Sequence, residues 1–375
     1  MGLTKKPKGE AFKPKLTAQV SEDFNAGITS NNLNLTNLFT SSNEILILLY
    51  RENYYVNTNN VCTSKYVKGI LKQSEDSYSF YSKIHLYQAL RIAGTWIFEN
   101  VYITGNAIVL QPGAKLILRN CYLYFTANAS FNCIDATNGA LRIEHTRVHI
   151  EPIGSAYIDV LFGSDVILKY SAIDRYKWGK STGNLYAYDS YLGIDDGGTS
   201  LNGYNVKLEY SYIGGFNFSG TINLTALNSQ LGKTLAYSGT REINGTINNC
   251  TLNSLILSNS NSNLKIYNSI IEKNSGDTSN GVLTMRGGNP VVSVFNSTLV
   301  NKISNQYILD CTNSNAIVKF VNCTFQSTLG RFYKSGSGTN YIRTVNCAGN
   351  KDITTDSGFN PGEIYDTAFV YDSGF

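Results

Sequence analysis

The chain has 375 residues, of which only 15% are charged, and its formal net charge is +4. Five lysines near its start contribute much of that charge: Lys5, Lys6, Lys8, Lys13 and Lys15. The rest of the chain is nearly balanced, which excludes the broad basic surface that nucleic-acid binding needs, so no nucleic acid is expected on the body. The longest apolar run, residues 45–50, is far too short to span a bilayer, so no membrane partner is expected.

Residues 1–20 are predicted to form a flexible basic arm. Proline among the lysines blocks helix and sheet, and the segment offers little to bury. The arm is expected either to attach the chain to a partner or to remain a plain disordered tail. No secretory signal is recognised, because proline, glycine and charge follow the first lysines where an apolar core would be needed. Synthesis in a cytoplasm is therefore expected.

Residues 21–94 are predicted to form an N-terminal cap or attachment module. Residues 44–50 have the pattern of a buried strand or short helix, and residues 54–57 and 66–70 have the pattern of strands. A cap is expected here because the open end of a repeat body would expose its core and its unpaired backbone groups.

Residues 95–350 repeat one short phrase. It consists of an apolar residue, a variable residue, a residue that is usually Asn, and a small residue. Another apolar residue follows two places after the small one. We call the residue before the small one the bend position and the small one the small position. The eleven small positions are Cys121, Thr146, Ser171, Ser190, Ser211, Ser229, Cys250, Ser269, Ser297, Cys323 and Cys347. Their separations of 18 to 28 residues predict a solenoid, in which each unit stacks on its neighbours.

The phrase has a mechanical explanation. Asn occupies seven of the eleven bend positions, and it tolerates left-handed backbone better than other non-glycine residues. Stacked coils about 4.8 Å apart would align these side chains in a hydrogen-bonded ladder. The small residue is predicted to point inward as a core filler. Because Cys and Ser interchange there, the seven cysteines are expected to be free thiols, with no zinc site and no cofactor.

The coil size, the Asn bend and the column of small residues resemble those of right-handed parallel β-helix proteins. This pectate-lyase-like superfamily includes the tailspikes of bacteriophages. The resemblance implies an all-β fold, a right-handed single-stranded parallel β-helix of eleven or twelve coils over residues 95–350. Residues 351–375, rich in aromatics, are expected to form a C-terminal cap or an oligomer contact. Likeness to tailspikes further implies a homotrimer.

Enzymes of this superfamily act on polysaccharides with carboxylates, so clustered acids are catalytic candidates. Counted from their small positions, His149 and Asp174 lie three places on, and Glu151 and Asp195 lie five, which predicts stacking on nearby coils. The predicted catalytic patch consists of Asp195, Asp196, Asp174, Glu151, His149 and Lys177. Glycoside hydrolysis needs two carboxylates at a defined separation, which this patch could supply.

The alternative is that Asp195 and Asp196 belong to an Asp-Asp-Gly-Gly turn and that the stacked charges form a solvated face. The Gly-His-Gly and Arg-x-Lys elements of polygalacturonases are missing, and no calcium or other metal site is evident. Glu144 and His145 lie across a bend, so alternation should separate their side chains, and neither is assigned a catalytic role.

Aromatic residues crowd into three consecutive coils. Flat rings with polar tips suit sugar or protein surfaces. The predicted binding residues are Tyr176, Trp178, Tyr188, Tyr191 and Tyr212. The alternative is that these rings only cover the surface of a rod that carries little charge.

Three functions follow from these patterns. The first is a virion structural appendage of a bacteriophage, attached to other virion proteins through its N-terminal region and presenting a rod to host-surface polysaccharide. The second is a polysaccharide-degrading hydrolase or lyase, such as a tailspike depolymerase. The third is a cell-surface adhesin, which should carry a secretion signal or an anchor. The first is preferred, and it predicts that the protein resides on the virion.

Overall fold

The computed structural model describes residues 19–20, 32–50, 52–74, 77–234, 240–274, 281–303, 307–327, 330–349 and 358–367. Almost all of them lie in β-strands, stacked as the parallel coils of a solenoid with about 13 turns. The all-β parallel fold is therefore confirmed. The predicted attachment residues, Lys5, Lys6, Lys8, Lys13 and Lys15, lie outside the described residues.

Two long sheets run along the rod, and each has 20 strands in the described part of the chain. The first sheet contains Gln19–Val20, Ile45–Leu48, Lys65–Lys68, Thr95–Glu99, Lys115–Arg119, Ala140–Glu144, Asp165–Lys169, Asn184–Tyr188, Leu201–Glu209, Gly220–Leu227, Arg241–Asn248, Leu255–Ser260, Asn263–Tyr267, Gly281–Gly288, Val291–Phe295, Tyr307–Thr312, Ile317–Val321, Gly330–Ser335, Tyr341–Val345 and Ile364–Thr367. The second sheet contains Asn32–Asn34, Asn53–Val56, Val61–Cys62, Lys83–Leu86, Leu90–Ile92, Tyr102–Gly105, Ile108–Leu110, Tyr122–Ala127, Phe131–Asp135, Arg147–Pro152, Ile158–Phe162, Ala172–Trp178, Tyr191–Gly198, Tyr212–Phe216, Gln230–Thr234, Thr251–Asn253, Ile270–Lys273, Thr298–Asn301, Thr324–Gln326 and Ala348–Gly349. Leu71–Ser74 and Ser77–Phe80 pair as an antiparallel hairpin, and Thr36–Thr40 forms a short helix.

Successive coils pair in parallel and in register. Thr95–Glu99 pairs residue by residue with Lys115–Arg119, which pairs in the same way with Ala140–Glu144. Alternate residues of each strand point inward, so Leu116 and Leu118 are fully buried while Lys115 is exposed. The inward side chains of all coils join in one apolar core along the rod.

Each bend position joins a strand of the first sheet to a strand of the second and has a positive φ. The values lie between 45° and 58° at Asn100, Asn120, His145, Tyr170, Asp189, Tyr210, Asn228, Asn249, Asn268, Asn296, Asn322 and Asn346. The Asn side chains form the predicted ladder, for example from Asn120 Nδ2 to Asn100 Oδ1 at 2.8 Å and from Asn346 Nδ2 to Asn322 Oδ1 at 2.9 Å. The left-handed bend and the ladder are both confirmed.

The small positions do more than fill the core. Thr146 Oγ1 accepts a hydrogen bond from the backbone N–H of Cys121 on the preceding coil at 2.9 Å, and it donates to the carbonyl of Glu144 at 2.8 Å. The same pair of contacts recurs at Ser171, Ser190, Ser211, Ser229, Cys250, Ser269, Ser297 and Cys347. Each side chain thus pairs a backbone N–H at the bend, where the two sheets are interrupted.

The stack of coils extends beyond residue 95, the predicted boundary, toward the N-terminus. Ile45–Leu48 pairs with Lys65–Lys68, which pairs with Thr95–Glu99. The phrase is hidden in this part because the hairpin of residues 71–80 is inserted between Lys65–Lys68 of the first sheet and Lys83–Leu86 of the second. Ser82 takes the small position beyond the hairpin, since its carbonyl accepts from the N–H of Tyr102 at 3.0 Å, as other small positions do on their neighbours.

Short segments lie near the two ends of the described stack. In the helix Thr36–Thr40, the buried ring of Phe39 packs edge-on against Trp96, with 5.1 Å between ring centroids. At the other end, Ile364–Thr367 adds a last strand beside Tyr341–Val345. The aromatic residues Phe369 and Tyr371 lie outside the described residues, and the ring of Tyr365 is 65% exposed.

Two further observations concern the expected partners and thiols. All seven cysteines are free thiols, as predicted. Within the described ranges, no helix combines the length and the apolar character that crossing a membrane would require. The short helix Thr36–Thr40 has only five residues.

Candidate functional site

A groove of about 950 Å³ runs along the outside of the rod between residues 145 and 251. Its floor consists of the small positions Thr146, Ser171, Ser190, Ser211 and Ser229. One wall consists of the bend positions His145, Tyr170, Asp189, Tyr210, Asn228 and Asn249. The other wall consists of the residues after the small positions, Arg147, Ala172, Tyr191, Tyr212, Gln230 and Thr251. We call this feature the bend groove, because the repeated phrase itself lines it.

The bend groove begins where the Asn ladder stops. His145, Tyr170, Asp189 and Tyr210 replace Asn at four consecutive bend positions. The backbone remains left-handed there, with φ of 52° at Tyr170 and 53° at Tyr210. This conformation is uncommon for a bulky residue, and holding one there costs on the order of 1–3 kcal/mol. Such residues cluster at functional sites, so the two tyrosines make the groove the candidate site.

The rings of the groove hold one another in place. His145 stacks on Tyr170, with ring centroids 4.8 Å apart and planes 9° from parallel. Tyr191 stacks on Tyr212 along the other wall, with ring centroids 5.0 Å apart and planes 2° from parallel. Tyr170, Tyr191 and Tyr210 nevertheless remain 47%, 44% and 56% exposed. The groove therefore presents oriented aromatic surfaces to solvent.

The chemistry of the lining is polar but carries little charge. The floor and the far end consist of hydroxyl and amide side chains, and the charged groups are Arg147, Asp189 and, when protonated, His145. Hydroxyls and amides both donate and accept hydrogen bonds, and exposed tyrosine rings offer flat apolar faces with a polar tip. This combination suits a ligand rich in hydroxyl groups and flat ring faces, which is the chemistry of a polysaccharide.

The predicted aromatic binding residues divide into two groups. Tyr191 and Tyr212 line the groove, and the ring of Tyr188 lies 5.4 Å from that of Tyr170. Tyr176 and Trp178 are 0% and 1% exposed, so the surface available to a ligand excludes both.

The physical reason is strand pairing. The end of Ala172–Trp178 pairs with Ile158–Phe162, which continues the inward alternation. Inside the coil the ring of Tyr176 stacks on Phe162 at 4.9 Å. Both predicted binding residues therefore belong to the core.

The predicted stacking of His149 on Asp174 is confirmed. His149 Nδ1 lies 2.6 Å from Asp174 Oδ2, and Arg147 Nη2 lies 3.0 Å from Asp174 Oδ1. Glu151 accepts a hydrogen bond from the hydroxyl of Tyr124 at 2.6 Å, which raises the pKa of that hydroxyl. The ring of Tyr124 stacks on His149 at 5.5 Å. These side chains form one polar network beside the bend groove.

The other predicted catalytic residues do not join this network. Asp195 is 2% exposed, and its carboxylate accepts from Trp178 Nε1 at 2.8 Å, from Gly197 N at 2.8 Å and from Asn217 N at 3.0 Å. It therefore fixes the irregular end of the strand Tyr191–Gly198, where the alternative prediction had a turn. Lys177 pairs instead with buried Asp159 at 2.8 Å.

Two features explain why the six residues do not form one patch. Arg147–Pro152 pairs with the next strand only through its first two residues. The register then shifts between Tyr176 and Trp178. Across the first of these steps a count of three places still brings His149 to Asp174, whereas a count of five fails there because Tyr176 pairs with Val160. Across the second step Tyr176 still pairs with Asp195, so the shift follows the fifth place. The side chain of Asp196 lies outside what the structure describes.

Several residues of the site were not predicted. His145 and Arg147 both line the groove, although the phrase Glu144-His145 was assigned no role. Glu144 does lie apart from them, on the first sheet, where Arg119 Nε is 3.2 Å from its carboxylate. The sequence does contain a feature that indicates the groove. Tyr170 and Tyr210 occupy bend positions, where the repeat usually has Asn.

No family model, curated protein or solved structure matches this chain. In the ranges that the structure describes, no three His, Cys, Asp or Glu side chains come together as metal ligands. A function for this chain has to be argued from its own residues.

Proposed function

We propose that this chain is a structural appendage of a bacteriophage virion, a fibre, spike or decoration protein whose rod contacts host-surface polysaccharide through the bend groove. The parallel solenoid supports this proposal, because its architecture resembles that of tailspikes in the pectate-lyase-like superfamily. The N-terminal region would attach the rod to other virion proteins after synthesis in the host cytoplasm. By analogy with tailspikes the chain would be a homotrimer, and a monomeric mass by light scattering would contradict that part.

The proposed contact with polysaccharide rests on one observation, which is that Tyr170 and Tyr210 occupy left-handed bends. Asn at these two positions would give a more stable rod, because it extends the ladder and adopts left-handed backbone at a lower free-energy cost. Tyrosine weakens the fold there and supplies two half-exposed rings. Residues held in a costly backbone conformation are typical of binding sites.

The length and charge of the groove indicate what kind of polysaccharide fits. Its wall of bend positions crosses five coil spacings from His145 to Asn249, or about 24 Å at the spacing of paired strands. An open groove of this length suits an extended polymer better than a compact small molecule. Few of its lining groups are ionisable besides tyrosine, so a neutral polysaccharide fits the lining better than a strongly acidic one.

The test is to replace Tyr170 and Tyr210 by Asn, the residue that the repeat itself uses. Each ring should contribute about 0.5–1.5 kcal/mol of stacking, so the double variant should bind a host-surface polysaccharide roughly ten-fold more weakly or worse. Calorimetric titration with polysaccharides extracted from bacterial surfaces measures this loss. Tyr341→Asn is the matched control, because Tyr341 is 58% exposed on the first sheet, away from the groove.

Two outcomes would contradict the proposal. One is a double variant that binds as tightly as the natural chain. The other is a control variant, Tyr341→Asn, that loses as much affinity as the double variant. The double variant should also be more stable by about 1 kcal/mol, since Asn relieves the backbone cost.

A second candidate function, cleavage of the bound polysaccharide, is favoured by the contact between His149 and Asp174. A carboxylate beside Nδ1 orients an imidazole and favours its action as a general base. Arg147 holds that carboxylate in place and also lines the groove. Asp195 does not supply the acid that would complete a hydrolytic pair, because it is buried in the strand Tyr191–Gly198.

Incubation with the same polysaccharides, followed by analysis of chain length, tests this second candidate. If the chain is an enzyme, Asp174→Asn should lower the rate of shortening by at least about 100-fold and leave polysaccharide binding intact. His149→Gln should act in the same way. Unshortened chains after incubation with the natural protein would rule cleavage out for those substrates.

A further inference from the structure

Two of the seven cysteines occupy neighbouring small positions at the C-terminal end of the rod. Thr324 pairs in register with Ala348, so Cys323 and Cys347 lie opposite each other on adjacent coils. Paired strands are about 4.8 Å apart, which falls within the Cα separation of about 4.4–6.8 Å that disulfides span. The N–H of Cys323 donates to Cys347 Sγ at 3.4 Å, so one sulfur already lies against the backbone of the other residue.

The two thiols differ in reactivity. Cys347 is partly exposed, whereas the other six cysteines are buried. Hydrogen bonding from Cys323 lowers the pKa of Cys347 to about 7, and the same interaction together with burial raises the pKa of Cys323. The thiolate is the nucleophile in disulfide exchange. Cys347 is thus suited to attack an external disulfide, and Cys323 is suited to attack the mixed disulfide that results.

Cysteine is not needed here for the hydrogen bonds of the column. Ser makes the same two contacts at Ser171, Ser190, Ser211, Ser229, Ser269 and Ser297. Cys121 and Cys250 have no cysteine at the small position on either adjacent coil. The pair at 323 and 347 is the one place in this column where two thiols meet.

We propose that Cys323 and Cys347 are a reversible redox pair, which closes to a disulfide when the chain meets a low-molecular-weight disulfide such as oxidised glutathione. The Cys347 thiolate attacks one sulfur of that molecule, forming a mixed disulfide and releasing one thiolate, which takes up a proton. Cys323 then loses its proton and attacks Cys347 Sγ, which releases the second small thiol. The protein loses two electrons and two protons, and the small disulfide gains them.

The closed bond would fasten the last coils to each other. It links residues 24 positions apart (347 − 323 = 24), beside the strand Ala348–Gly349, which pairs with the preceding coil through only two residues. Closing a loop restricts the unfolded chain, so oxidation should raise stability. A rod made under reducing conditions would then become more resistant at this end in an oxidising environment.

The experiment treats the reduced full chain with oxidised glutathione near pH 7, and reads the product by intact mass and by peptide mapping without reductant. The natural chain should lose two hydrogen atoms in mass, with the bond joining Cys323 and Cys347, and its Tm should rise. Cys323→Ser should stop at a glutathione adduct on Cys347. Cys347→Ser should stay fully reduced, and Cys250→Ser, the control from the same column, should oxidise as the natural chain does.

Three results would overturn the proposal. These are seven thiols that stay reduced in the natural chain, a stable adduct on Cys347 that never closes, and a bond between any other two cysteines. Misfolding of the variants is tested by circular dichroism, and Ser already occupies six of the eleven small positions. The initial rate should also fall about ten-fold for each pH unit below pH 6, as the Cys347 thiolate is protonated.

Discussion

Replacing Lys65 by Met is expected to lower the free energy of unfolding by about 2–4 kcal/mol. Lys65 is 1% exposed, and its ammonium donates to the carbonyl oxygens of Ser41, Asn43 and Thr63 at 3.0, 2.9 and 3.0 Å. Methionine fills a similar volume but leaves these oxygens without their donor. Because the bonds tie the segment after the helix Thr36–Thr40 to the core, the N-terminal end should loosen first.

Urea denaturation measures the loss, and tryptophan fluorescence reports its location. Trp96 is buried against Phe39 of the helix, so its emission should shift to the red before the main transition. Lys68→Met is the matched control from the same strand. Lys68 is 44% exposed in a surface pair with Glu99, which is worth at most about 1 kcal/mol. Equal losses in the two variants would contradict the assigned role of Lys65.

Replacing Glu363 by Gln should cost about 3–5 kcal/mol at neutral pH, because it leaves a buried cation without its partner. Lys334 and Glu363 are both 5% exposed at their side chains and 2.7 Å apart. Burial acts to raise the pKa of Glu363, but hydrogen bonds from Lys334 and from the N–H groups of Asn360 and Asn340 outweigh it and lower the pKa below 4.5. The ionised carboxylate thus stabilises the C-terminal turn.

The sign of the pH dependence follows from this pKa. A carboxyl group whose pKa is lower in the folded chain contributes its full stability above about pH 4.5, and loses it as the pH falls through the folded pKa. Urea denaturation at pH 7 should therefore give a much lower free energy of unfolding for Glu363→Gln than for the natural chain. At roughly pH 3 the difference between the two free energies should be smaller. Glu52→Gln, an exposed control 3.3 Å from Lys83, should show little gap at either pH. A gap that is the same at both pH values would refute the assignment.

The periodic features of the fold were predictable because they are local. Within the repeated phrase, Asn before the small residue specifies a left-handed bend, and the register counted from the small residue placed His149 on Asp174. The same count also located Tyr170 and Tyr210 at bends, since the rhythm of the repeat continues through them. These residues differ from the other bend positions only in having Tyr where the repeat usually has Asn, and their rings line the groove.

Other features depend on contacts that no local pattern encodes. The first coils were hidden because the hairpin of residues 71–80 interrupts the phrase before Ser82. Asp195 appeared to be an exposed acid, whereas the indole N–H of Trp178 and two backbone N–H groups make it a buried acceptor. The partner of Lys177 is Asp159, which is 18 residues earlier (177 − 159 = 18) and on a strand whose pairing could not be read from spacing alone.

The hydrogen-bonding role of the small positions was missed for a different reason. Interchange of Cys, Ser and Thr was interpreted as a matter of size. All three also carry a group that can accept from one backbone N–H and donate to one carbonyl, which is what Thr146 and its counterparts do. Alanine is small as well, but it could not take this place without leaving a backbone N–H unpaired.

The most direct test of the bend groove is hydroxyl-radical footprinting of the natural chain with and without a saturating host-surface polysaccharide. Our account predicts protection of Tyr170, Tyr191 and Tyr210, whose rings are exposed in the groove, and unchanged labelling of Tyr341 and Tyr365 on the first sheet. Protection of the last two tyrosines with the groove still labelled would contradict it, as would a bound polysaccharide that protects none of the five.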